Sequence, residues 1–471
     1  MERTIVISAL LNQVQVGIVE NNRLVEYYLE RDCTERLVSN IYKGRVENVL
    51  PGMGAAFIDI GMAKNAFLFL ADAAAGLTTG DSIMVQVSKE GAGTKGPRVT
   101  TKISLPGRYL VLMPLQDHTG ISRQISDAAE RARLKEIAED IRPRNMGVIV
   151  RTVAEGCTKE ELGQDLEELL RDWARVKRKY KGRSGSPLLY QDHDLVHRIL
   201  RDLYAAGETT VVVDCPELKK RIIQELKDLA PGTPPQVELY AGKVDLFTHF
   251  GLKKQLERAG NNRIWLDCGG YLVFNQTEAL LSIDVNTGKY VGSKNLQDTV
   301  VKTNLQAASE IPYQLRLRNT GGIVVIDFID MTDPNDRSAV LEELASALSA
   351  DKTRTNLLGF TRLGLVELTR KKTERLLSSV LEVDCPHCKG MGRVLSDETV
   401  AFKIALEVNS LALENVEVIS VHCHPAVAGF VIGAGGSNLR ALEKHTGTTV
   451  KVRGDESFVR QYYEVKSVAF D

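Results

Sequence analysis

The fold is decided by two short runs of sequence, Ala-Leu-Leu-Ser-Ile-Asp-Val-Asn at 279–286 and Ile-Val-Val-Ile-Asp-Phe-Ile-Asp at 323–330. Each run is apolar and largely β-branched, and each carries acidic residues towards its end. That pattern is typical of a buried strand that delivers a carboxylate to the edge of a sheet. We therefore expect an α/β protein in which two acidic strand ends lie close together.

The period of two along a strand sorts these polar side chains. Asp284 and Asn286 are two residues apart, so both face one site, whereas Asp327 and Asp330 are three apart and face opposite sides. The sequence predicts a site of Asp284, Asn286 and Asp327, with Asp330 in a supporting or structural role. Two such acids can hold a hard divalent cation that also binds phosphate and water. The alternative, in which the acids cap strands or pair with arginines, stays open.

Size and composition limit the remaining possibilities. The chain has 471 residues, of which 43% are hydrophobic and 26% charged, which indicates a globular protein of roughly three or four domains. The formal net charge is -1, so contact with nucleic acid requires a local concentration of basic groups. No apolar run approaches the ~20 residues that span a bilayer, and the run at 4–11 is too short for a signal peptide. Seven cysteines, mostly isolated, favour a reducing cytoplasmic location.

The rest of the chain predicts several smaller structures. Residues 1–35 predict a two-stranded β-hairpin, and closely spaced short strands between 41 and 87 predict a small closed barrel of the OB type. Apolar residues from Leu162 to Val176 recur at helical spacing, which predicts an amphipathic helix. Strands alternate with helices from 260 to 381, an α/β pattern. Pro312 is expected to kink or break one of these helices.

A pair of cysteines near the end of the chain has zinc-ligand spacing. Cys385 and Cys388 are separated by two residues, so both sulfurs can reach one metal ion, but a structural zinc takes four ligands. The second pair can come from His422, Cys423 or His424, or from the same two cysteines of a second protomer. A redox pair of the thioredoxin type is a third possibility, although its usual strand-to-helix setting is absent. We favour zinc shared between protomers.

Two further patterns are suited to RNA. Phe57 and Phe67 lie in the barrel-like stretch and Lys95 in its glycine-rich loop, and such barrels stack bases on aromatic rings while lysines meet phosphate. Most barrel phenylalanines belong to the core, so the residues alone favour core positions for both. Gly433 and Gly436 match the G-x-x-G loop by which KH domains clamp an RNA backbone between two helices. The alternative is a glycine turn with a purely architectural role.

Together these segments resemble the ribonuclease E/G family along nearly the whole chain. The most specific matches are the strands at 279–286 and 321–331 and the cysteine knuckle at 385–392, in this order and spacing. The resemblance implies an endoribonuclease that cuts single-stranded RNA with Mg²⁺ and leaves a 5′-phosphate and a 3′-hydroxyl. It also implies a homodimer joined by a shared structural Zn²⁺, and a dimer of such dimers. The long arginine-rich tail of ribonuclease E does not follow, so the chain looks closer to ribonuclease G.

The resemblance further implies an α/β multidomain arrangement. An RNase H-like subdomain receives a barrel and a sensor as insertions, and a deoxyribonuclease I-like catalytic subdomain follows it. The G-x-x-G loop, which is not part of the resemblance, makes the last domain a small KH-like α+β domain. The expected boundaries are 1–35 and 196–259 for the RNase H-like subdomain, 36–101 for the OB-fold barrel, 102–195 for the 5′-phosphate sensor, 260–381 for the catalytic subdomain, 382–395 for the zinc knuckle and 396–471 for the C-terminal domain.

The resemblance also assigns roles to single residues. Asp284 and Asp327 match the metal-holding acids, and Asn286 matches the residue that orients Asp284 or the scissile phosphate. Five residues match a pocket that senses a 5′-monophosphate: Gly107, Val111, Arg151, Thr152 and Arg354. The two arginines suit that task because a guanidinium can bind two phosphate oxygens.

The barrel residues Phe57, Phe67 and Lys95 match contacts with RNA, which reverses the preference for core positions. The implied reaction is an in-line displacement in which a metal-bound water attacks the phosphate. RNA that begins with a triphosphate or a hydroxyl is then expected to be cut more slowly. The competing interpretation is a non-catalytic RNA-binding protein that acts in ribosome assembly. Magnesium-dependent internal cleavage of an end-labelled RNA distinguishes the two.

Overall fold

A computed structural model describes the chain apart from residues 1–2, 32–35, 74–75, 92–94, 183–186, 206, 230–233, 289–295, 374, 415 and 469–471, and the side chain of residue 296. The chain divides into two compact units, Met1–Val380 and Leu381–Asp471, which we call the first and the second unit. Among the described helices, none combines the length and the apolar character that crossing a membrane requires.

The elements of the first unit up to residue 203 alternate short strands with three helices. In chain order they are β1 (Arg3–Leu10), β2 (Gln13–Glu20), β3 (Arg23–Arg31), β4 (Ile41–Leu50), β5 (Ala55–Asp59), β6 (Ala66–Phe69), β7 (Ser82–Lys89), β8 (Arg98–Thr100), β9 (Leu105–Pro106), β10 (Leu110–Met113), β11 (Thr119–Ile121), α1 (Ala128–Ile141), β12 (Gly147–Val150), α2 (Lys159–Lys181), β13 (Leu188–Tyr190) and α3 (Leu195–Leu203).

The remaining elements follow an α/β order and end in the second unit. They are β14 (Thr209–Val213), α4 (Pro216–Leu229), β15 (Val237–Leu239), α5 (Leu246–His249), α6 (Leu252–Gly260), β16 (Arg263–Trp265), β17 (Tyr271–Gln276), β18 (Leu280–Asn286), α7 (Leu296–Leu317), β19 (Gly322–Asp327), α8 (Pro334–Ser349), β20 (Thr355–Phe360), β21 (Val366–Arg370), α9 (Leu377–Leu381), α10 (Asp397–Ala412), β22 (Val418–Cys423), α11 (Pro425–Ile432), α12 (Ser437–Thr446), β23 (Thr449–Gly454) and β24 (Tyr463–Ser467).

The first three strands form an antiparallel meander, so the expectation of a two-stranded hairpin was incomplete. The turn at Asn21 and Asn22 has positive φ at both residues, as a tight hairpin turn requires. A second such turn lies at Leu11 and Asn12, and the sequence did not reveal it because leucine rarely adopts positive φ. β1 also pairs in parallel with β14, which gives a five-stranded sheet of order β15-β14-β1-β2-β3.

The predicted barrel is confirmed. Strands β4, β5, β6, β8 and β7 follow one another in the sheet, and β7 pairs with β4 to close it. Its interior holds small and branched residues, among them Val46, Ile58, Leu68 and Val99. A closed barrel has no unpaired edge, so these short strands satisfy their backbone groups within the barrel.

The next subdomain packs two helices on a small sheet of order β11-β12-β10-β9. The predicted amphipathic helix is confirmed as α2, whose buried stripe includes Leu162, Trp173 and Val176. Its start is fixed by a capping box in which Thr158 and Glu161 each accept a backbone N–H of the other.

The two acidic strands lie in the centre of a six-stranded sheet of order β16-β17-β18-β19-β21-β20. Helices α7 and α8 cover one face of this sheet, and together with it they form the largest apolar core of the first unit. On the opposite face, which we call the open face, the described side chains of β17, β18 and β19 are exposed or half-buried. Of the two expectations at Pro312, a kink or a break, the break is wrong, since α7 runs from Leu296 to Leu317 without interruption. The fully buried Ile311 and Leu315 hold this part of the helix against the core.

The second unit is a three-stranded sheet packed against helices. β22 lies in the centre, parallel to β23 and antiparallel to β24. Its core includes Ile404 of α10, Val421 of β22 and Val427 of α11. The Cys385 to Cys388 segment precedes α10, and the glycine loop joins α11 to α12.

Candidate active site

The two strand-end acids are direct neighbours. β18 and β19 are parallel, and Asp284 is the register partner of Asp327 at the last pair of the ladder. Both acids are exposed on the open face of the sheet, and Asn286 lies on the same face. The residues that alternate with this face along β18 are buried in the core: Leu281, Ile283 and Val285. The strand period therefore grouped Asp284, Asn286 and Asp327 correctly.

Asn286 is held against Asp284. Its Nδ2 donates a hydrogen bond of 2.6 Å to Oδ2 of Asp284. This hydrogen bond orients the carboxylate through Oδ2, while Oδ1 points in another direction. A ligating carboxylate commonly has such a partner, because the partner keeps the oxygen in its binding geometry.

The charges at this site repel one another. Partial burial raises the pKa of Asp327, and the negative charges of Asp284 and Asp330 raise it further. Asp330 lies just beyond β19, close enough for its charge to act on Asp327, which agrees with a supporting role. Among the described residues no arginine or lysine forms an ion pair with Asp284 or Asp327, so the structure does not support the alternative of a simple salt bridge.

This donor set fits a hard divalent cation. The described residues contain no group of three His, Cys, Asp or Glu side chains that could hold a metal by themselves. Mg²⁺, however, is commonly bound through one or two carboxylates, with water and substrate phosphate completing its six positions. Asp284 and Asp327 supply two carboxylates, and a cation between them would relieve the repulsion that raises the pKa of Asp327.

A large cleft in the first unit contains the residues assigned to 5′-end sensing. Val111, Arg151 and Arg354 line this cleft, whose volume is about 1890 Å³. Gly107 contacts Arg151 through its carbonyl oxygen, which accepts a hydrogen bond of 2.7 Å from Nη1. Thr152 donates to Oε1 of the cleft residue Gln124 at 2.9 Å. Three of the five assigned residues thus line the cleft, and the other two contact its lining residues Arg151 and Gln124.

Sequence reasoning missed Asp202, which holds the arginine of this pocket. Oδ1 of Asp202 lies 2.7 Å from Nη1 of Arg151 and 2.9 Å from Nε of Arg201. Burial alone would raise the pKa of Asp202, but the hydrogen bonds and charges of Arg201 and Arg151 hold it below its usual value. Asp202 is therefore ionised at neutral pH and lies on the wall of the cleft.

A second missed residue explains why position 107 is a glycine. Asp165 of α2 accepts hydrogen bonds from the backbone N–H groups of Arg108, Tyr109 and Leu110, at 2.8 to 2.9 Å. A Cβ on Gly107 would lie 2.6 Å from Oδ1 of this carboxylate. Three hydrogen bonds fix the carboxylate, so it cannot move aside. Burial raises the pKa of Asp165.

Arg354 differs from Arg151 in its surroundings. It is exposed in the cleft, and among the described residues no hydrogen bond or ion pair of its guanidinium is found. Arg151, in contrast, is tied to Asp202 and Gly107. The pocket therefore combines one positioned guanidinium with one that can turn towards a ligand.

The two barrel phenylalanines lie outside the barrel core, so the preference for core positions was wrong. Phe57 and Phe67 are register partners on β5 and β6, with ring centroids 6.0 Å apart, and both are half-buried. Phe69 extends this aromatic group, 4.8 Å from Phe67, and the guanidinium of Arg98 lies 4.2 Å from its ring. Lys95 is exposed. Phe69 was missed although its spacing of two from Phe67 places both on one face.

The cysteine pair lies in a tight turn. The N–H of Lys389 donates to the carbonyl oxygen of Cys385 at 2.7 Å, and backbone N–H groups of the turn lower the pKa of the Cys385 thiol. Of the proposed ligands in the same chain, Cys423 is buried in the core, and Nδ1 of His424 caps α11. The described residues thus offer two sulfurs, which is half of a four-sulfur site.

The glycine loop of the second unit has the conformation that only glycine adopts easily. Gly433 and Gly436 both have positive φ, and a Cβ on Gly433 would lie 2.6 Å from Cγ of Asn438. Nη1 of Arg440 donates to the carbonyl oxygen of Gly435 at 2.8 Å, so α12 supplies a cation that the loop itself lacks. The helix–loop–helix arrangement agrees with the expected G-x-x-G pattern.

Comparison with known proteins identifies the family. A family model described as "Ribonuclease E/G family" matches residues 104–373, and one described as "RNase E/G, Thioredoxin-like domain" matches residues 384–468. The chain belongs to the ribonuclease E/G family. "Ribonuclease G" of Haemophilus influenzae is 39% identical over 96% of this chain and 97% of its own length. "Ribonuclease G" of Escherichia coli K12 is 37% identical over 99% of both chains.

Relatives of both branches match, and they differ in length. "Ribonuclease E" of Nostoc sp. is 39% identical over 81% of this chain but only 59% of its own length. The ribonuclease G relatives are covered almost completely, which confirms the expected closer resemblance to that branch. The family description of 384–468 as thioredoxin-like differs from the KH-like description that the glycine loop suggested. A single four-residue pattern was too short to define the whole domain.

Proposed function

We propose that this chain is an endoribonuclease that cleaves single-stranded RNA in RNA processing and decay, with Mg²⁺ as its catalytic ion and 5′-phosphate and 3′-hydroxyl ends as its products. The observation that carries the proposal is the register pairing of Asp284 with Asp327 on the open face of the sheet. These residues lie in the part of the chain that matches the ribonuclease E/G family. Ribonuclease G relatives at 37–39% identity support the same reaction class.

Each residue of the acidic site has a distinct task in this proposal. Asp284 and Asp327 hold the ion between their strands, and Asn286 keeps Asp284 in its binding orientation. The bound ion lowers the pKa of a coordinated water and neutralises charge on the phosphate. The negative charge of Asp330 adds to the attraction for a cation without contacting it. The open sheet face gives an extended RNA strand access to the acids.

The cleft is proposed to read the 5′ end of the substrate. Arg151 and Arg354 can each bind phosphate oxygens, and the Thr152 hydroxyl can add a hydrogen bond. A 5′-monophosphate would then stimulate cleavage relative to a 5′-hydroxyl, which cannot pair with the arginines. Gly107 and Val111 shape the wall beside Arg151.

The barrel is proposed to hold the strand across the site. Phe57 and Phe67 are half-buried rings outside the barrel core, suited to base stacking, and Lys95 is exposed for contact with phosphate. In the second unit, Gly433 and Gly436 are proposed as an additional RNA contact, supported by the nearby cation of Arg440.

Assembly and location complete the proposal. Cys385 and Cys388 are proposed to share a structural Zn²⁺ with the same pair of a second protomer, giving a homodimer and then a dimer of dimers. The sheets that contain β1 and β18 are proposed as the RNase H-like and deoxyribonuclease I-like subdomains, and the sheet that contains β10 as the sensor. We further propose a cytoplasmic location.

The test uses a short end-labelled RNA with alternative 5′ ends, incubated with and without magnesium. Internal cuts that require magnesium and are fastest for the 5′-monophosphate are expected. Asp284→Asn or Asp327→Asn should abolish cleavage but leave RNA binding intact, because one carboxylate is lost while the binding surface remains. Glu367→Gln is the matched control, since Glu367 is an exposed acid on the same sheet face. Cleavage by both asparagine variants, or binding without products, would instead favour a non-catalytic RNA-binding protein.

A further inference from the structure

The open face of the catalytic sheet carries an exposed aromatic pair that no assigned role uses. Trp265 of β16 and Tyr271 of β17 are register partners, with ring centroids 5.2 Å apart and planes inclined by 60°. Trp265 is 51% exposed, whereas the other tryptophan of the chain, Trp173, is 3% exposed in the core beside α2. The exposed indole and the adjacent ring together offer apolar surface that a ligand could cover.

The aromatic pair lies in line with the acidic site. The ladder pairs Tyr271 with Asn286, and it pairs Val273 with Asp284 two residues further along. Trp265, Tyr271 and Asn286 therefore form one row across the open face. With neighbouring strands about 4.8 Å apart, the strand of Trp265 lies about 10 Å from that of Asn286.

A cation accompanies the pair. The guanidinium of Arg263 lies 4.5 Å from the centroid of the Tyr271 ring, and Arg263 is exposed on the same face. Arg263 pairs with Val273, which in turn pairs with Asp284. Positive charge thus lies on the aromatic side of the acids, where a phosphate backbone would need it.

The chain that leaves the acidic strand contacts the same rings. Gly288 has a φ of +60°, and a Cβ there would lie 2.5 Å from the carbonyl oxygen of Gly269 and 3.5 Å from Cζ3 of Trp265. The same Cβ would lie 3.3 Å from Cδ1 of Tyr271. The turn after Asn286 is therefore packed against the aromatic pair. Through this contact the acidic strand β18 is connected to Trp265 and Tyr271.

We propose that Trp265 and Tyr271 form a stacking platform for a nucleobase of the RNA strand beside the scissile phosphate, with Arg263 contacting the adjoining phosphate. This inference rests on the proposed nuclease function. Bases stack on aromatic rings with little dependence on sequence, and Arg263 supplies the charge that the backbone attracts. The platform would fix how far the strand slides past Asp284 and Asp327, and hence where it is cut.

Single-stranded RNA suits this surface better than a second copy of the chain. A stable interface between proteins buries roughly 1,200–2,000 Å², and its centre is depleted of charged residues. Here one exposed indole and one half-buried ring lie in the row next to the row that holds Arg263, Asp284 and Asp327. A pair of rings beside a row that contains a cation and two proposed metal-binding acids can contact a base and its neighbouring phosphates together.

The test measures RNA binding with magnesium omitted and zinc retained, so that cleavage does not enter the result. Trp173→Phe makes Trp265 the single tryptophan, and its emission should be quenched as a short 5′-phosphorylated RNA saturates the protein. Trp265→Ala should weaken binding about tenfold, whereas Trp265→Phe should restore most of the affinity. Ile323→Ala is the matched control. Ile323 is also 51% exposed on this face, but it lies at the end of β19 away from Asp327.

Cleavage with magnesium gives an independent readout. Trp265→Ala should cut at less defined positions along the RNA, and Ile323→Ala should cut as the parent does. Unchanged quenching, affinity and cut positions would overturn the platform. So would a loss of oligomer mass in Trp265→Ala with RNA binding intact, because a second copy would then cover the rings. Neither result depends on Asp284→Asn or Asp327→Asn, whose retained cleavage would contradict the nuclease site itself.

Discussion

Arg151 and Asp202 form an ion pair on the wall of the cleft, with Nη1 of the arginine 2.7 Å from Oδ1 of the aspartate. The same oxygen accepts from Arg201, so Asp202 lies between two guanidinium groups. A phosphate that approaches Arg151 therefore meets a fixed cation and a fixed anion together. The anion gives the pocket a means to disfavour ligands with excess negative charge.

The first prediction concerns that discrimination. Asp202→Asn keeps a hydrogen-bond acceptor for Arg151 but removes the negative charge, so RNA with a 5′-triphosphate should be repelled less. Repulsion between unit charges a few ångströms apart is worth about 1 kcal/mol in water, so the preference for monophosphate should fall about fivefold. The measurement is the ratio of kcat/KM for the two RNAs. Asp140→Asn, which alters an exposed ion pair with Lys159, is the control, and an unchanged ratio in Asp202→Asn contradicts the prediction.

The second prediction concerns the other cleft arginine. Arg354→Ala should reduce the rate on 5′-monophosphate RNA towards the rate on 5′-hydroxyl RNA, because the guanidinium acts only when a phosphate is present. Arg354→Lys should recover part of the stimulation, since a lysine keeps the charge but not the planar fork. The 5′-hydroxyl substrate is an internal control and should be cut at the parental rate. An equal loss on both substrates would mean that Arg354 serves the fold or the chemistry.

The acidic site was predictable because its geometry is local. A strand alternates its faces with a period of two, so Asp284 and Asn286 had to share a face, and the adjacent parallel strand brought Asp327 opposite. The cleft residues were not predictable in the same way. Asp202 is 51 residues from Arg151 in the sequence, and Asp165 is 55 to 57 residues from its three backbone partners. Sequence spacing contains no signal for such contacts.

The barrel shows where periodicity fails. Residues 55–58 are all apolar, so alternation could not reveal which of them face the interior. The structure places Ala56 and Ile58 inside and Phe57 outside. The family resemblance supplied the surface position that composition alone did not. The aromatic pair of Trp265 and Tyr271 was also missed, because its significance depends on a ladder register with Asn286 that only the folded sheet defines.

The third prediction tests the orienting role of Asn286. Asn286→Ala removes the 2.6 Å hydrogen bond to Asp284, so the carboxylate should bind magnesium more weakly. Loss of a partner that orients a ligand typically costs about 10–100-fold in metal affinity or activity. Cleavage rates as a function of magnesium concentration should shift to higher concentration and recover in part at saturation. Asn275→Ala is the control, since Asn275 is exposed on the same face opposite Ser282. A parental magnesium dependence in Asn286→Ala contradicts the assignment.

The fourth prediction concerns the zinc that we propose two protomers share. Changing both Cys385 and Cys388 to serine removes the two sulfurs that the chain offers, so the protein should lose zinc and fall to a smaller oligomer. Metal content and mass by light scattering measure the two effects in one sample. Cys215→Ser is the control, because Cys215 is a single cysteine of the first unit, near Glu217. An unchanged mass after zinc is lost would mean that other contacts hold the assembly.

The last prediction concerns stability and its pH dependence. Arg316 of α7 binds Glu20 and Glu26 at 2.8 and 2.6 Å, and all three side chains are at least five-sixths buried. Arg316→Ala removes the cation from Glu26 and leaves Glu20 with Arg3 alone, which should cost about 3–5 kcal/mol of unfolding free energy. Lys135→Ala, in an exposed pair with Glu139, should cost below about 1 kcal/mol and is the control.

The loss of unfolding free energy caused by Arg316→Ala should be smaller in acid, because of the way Glu20 titrates. Burial alone would raise the pKa of Glu20, but hydrogen bonds and charge from Arg316 and Arg3 hold it below its usual 4.5. The pair therefore stabilises the fold fully above that value and loses its effect as the pH falls through the lowered pKa. In Arg316→Ala, protonation of Glu20 removes the buried negative charge that Arg316 no longer balances. The difference in denaturant midpoint between the parent and Arg316→Ala should be smaller at about pH 4 than at about pH 7. An equal difference at the two pH values would show that packing rather than charge sets the loss of stability.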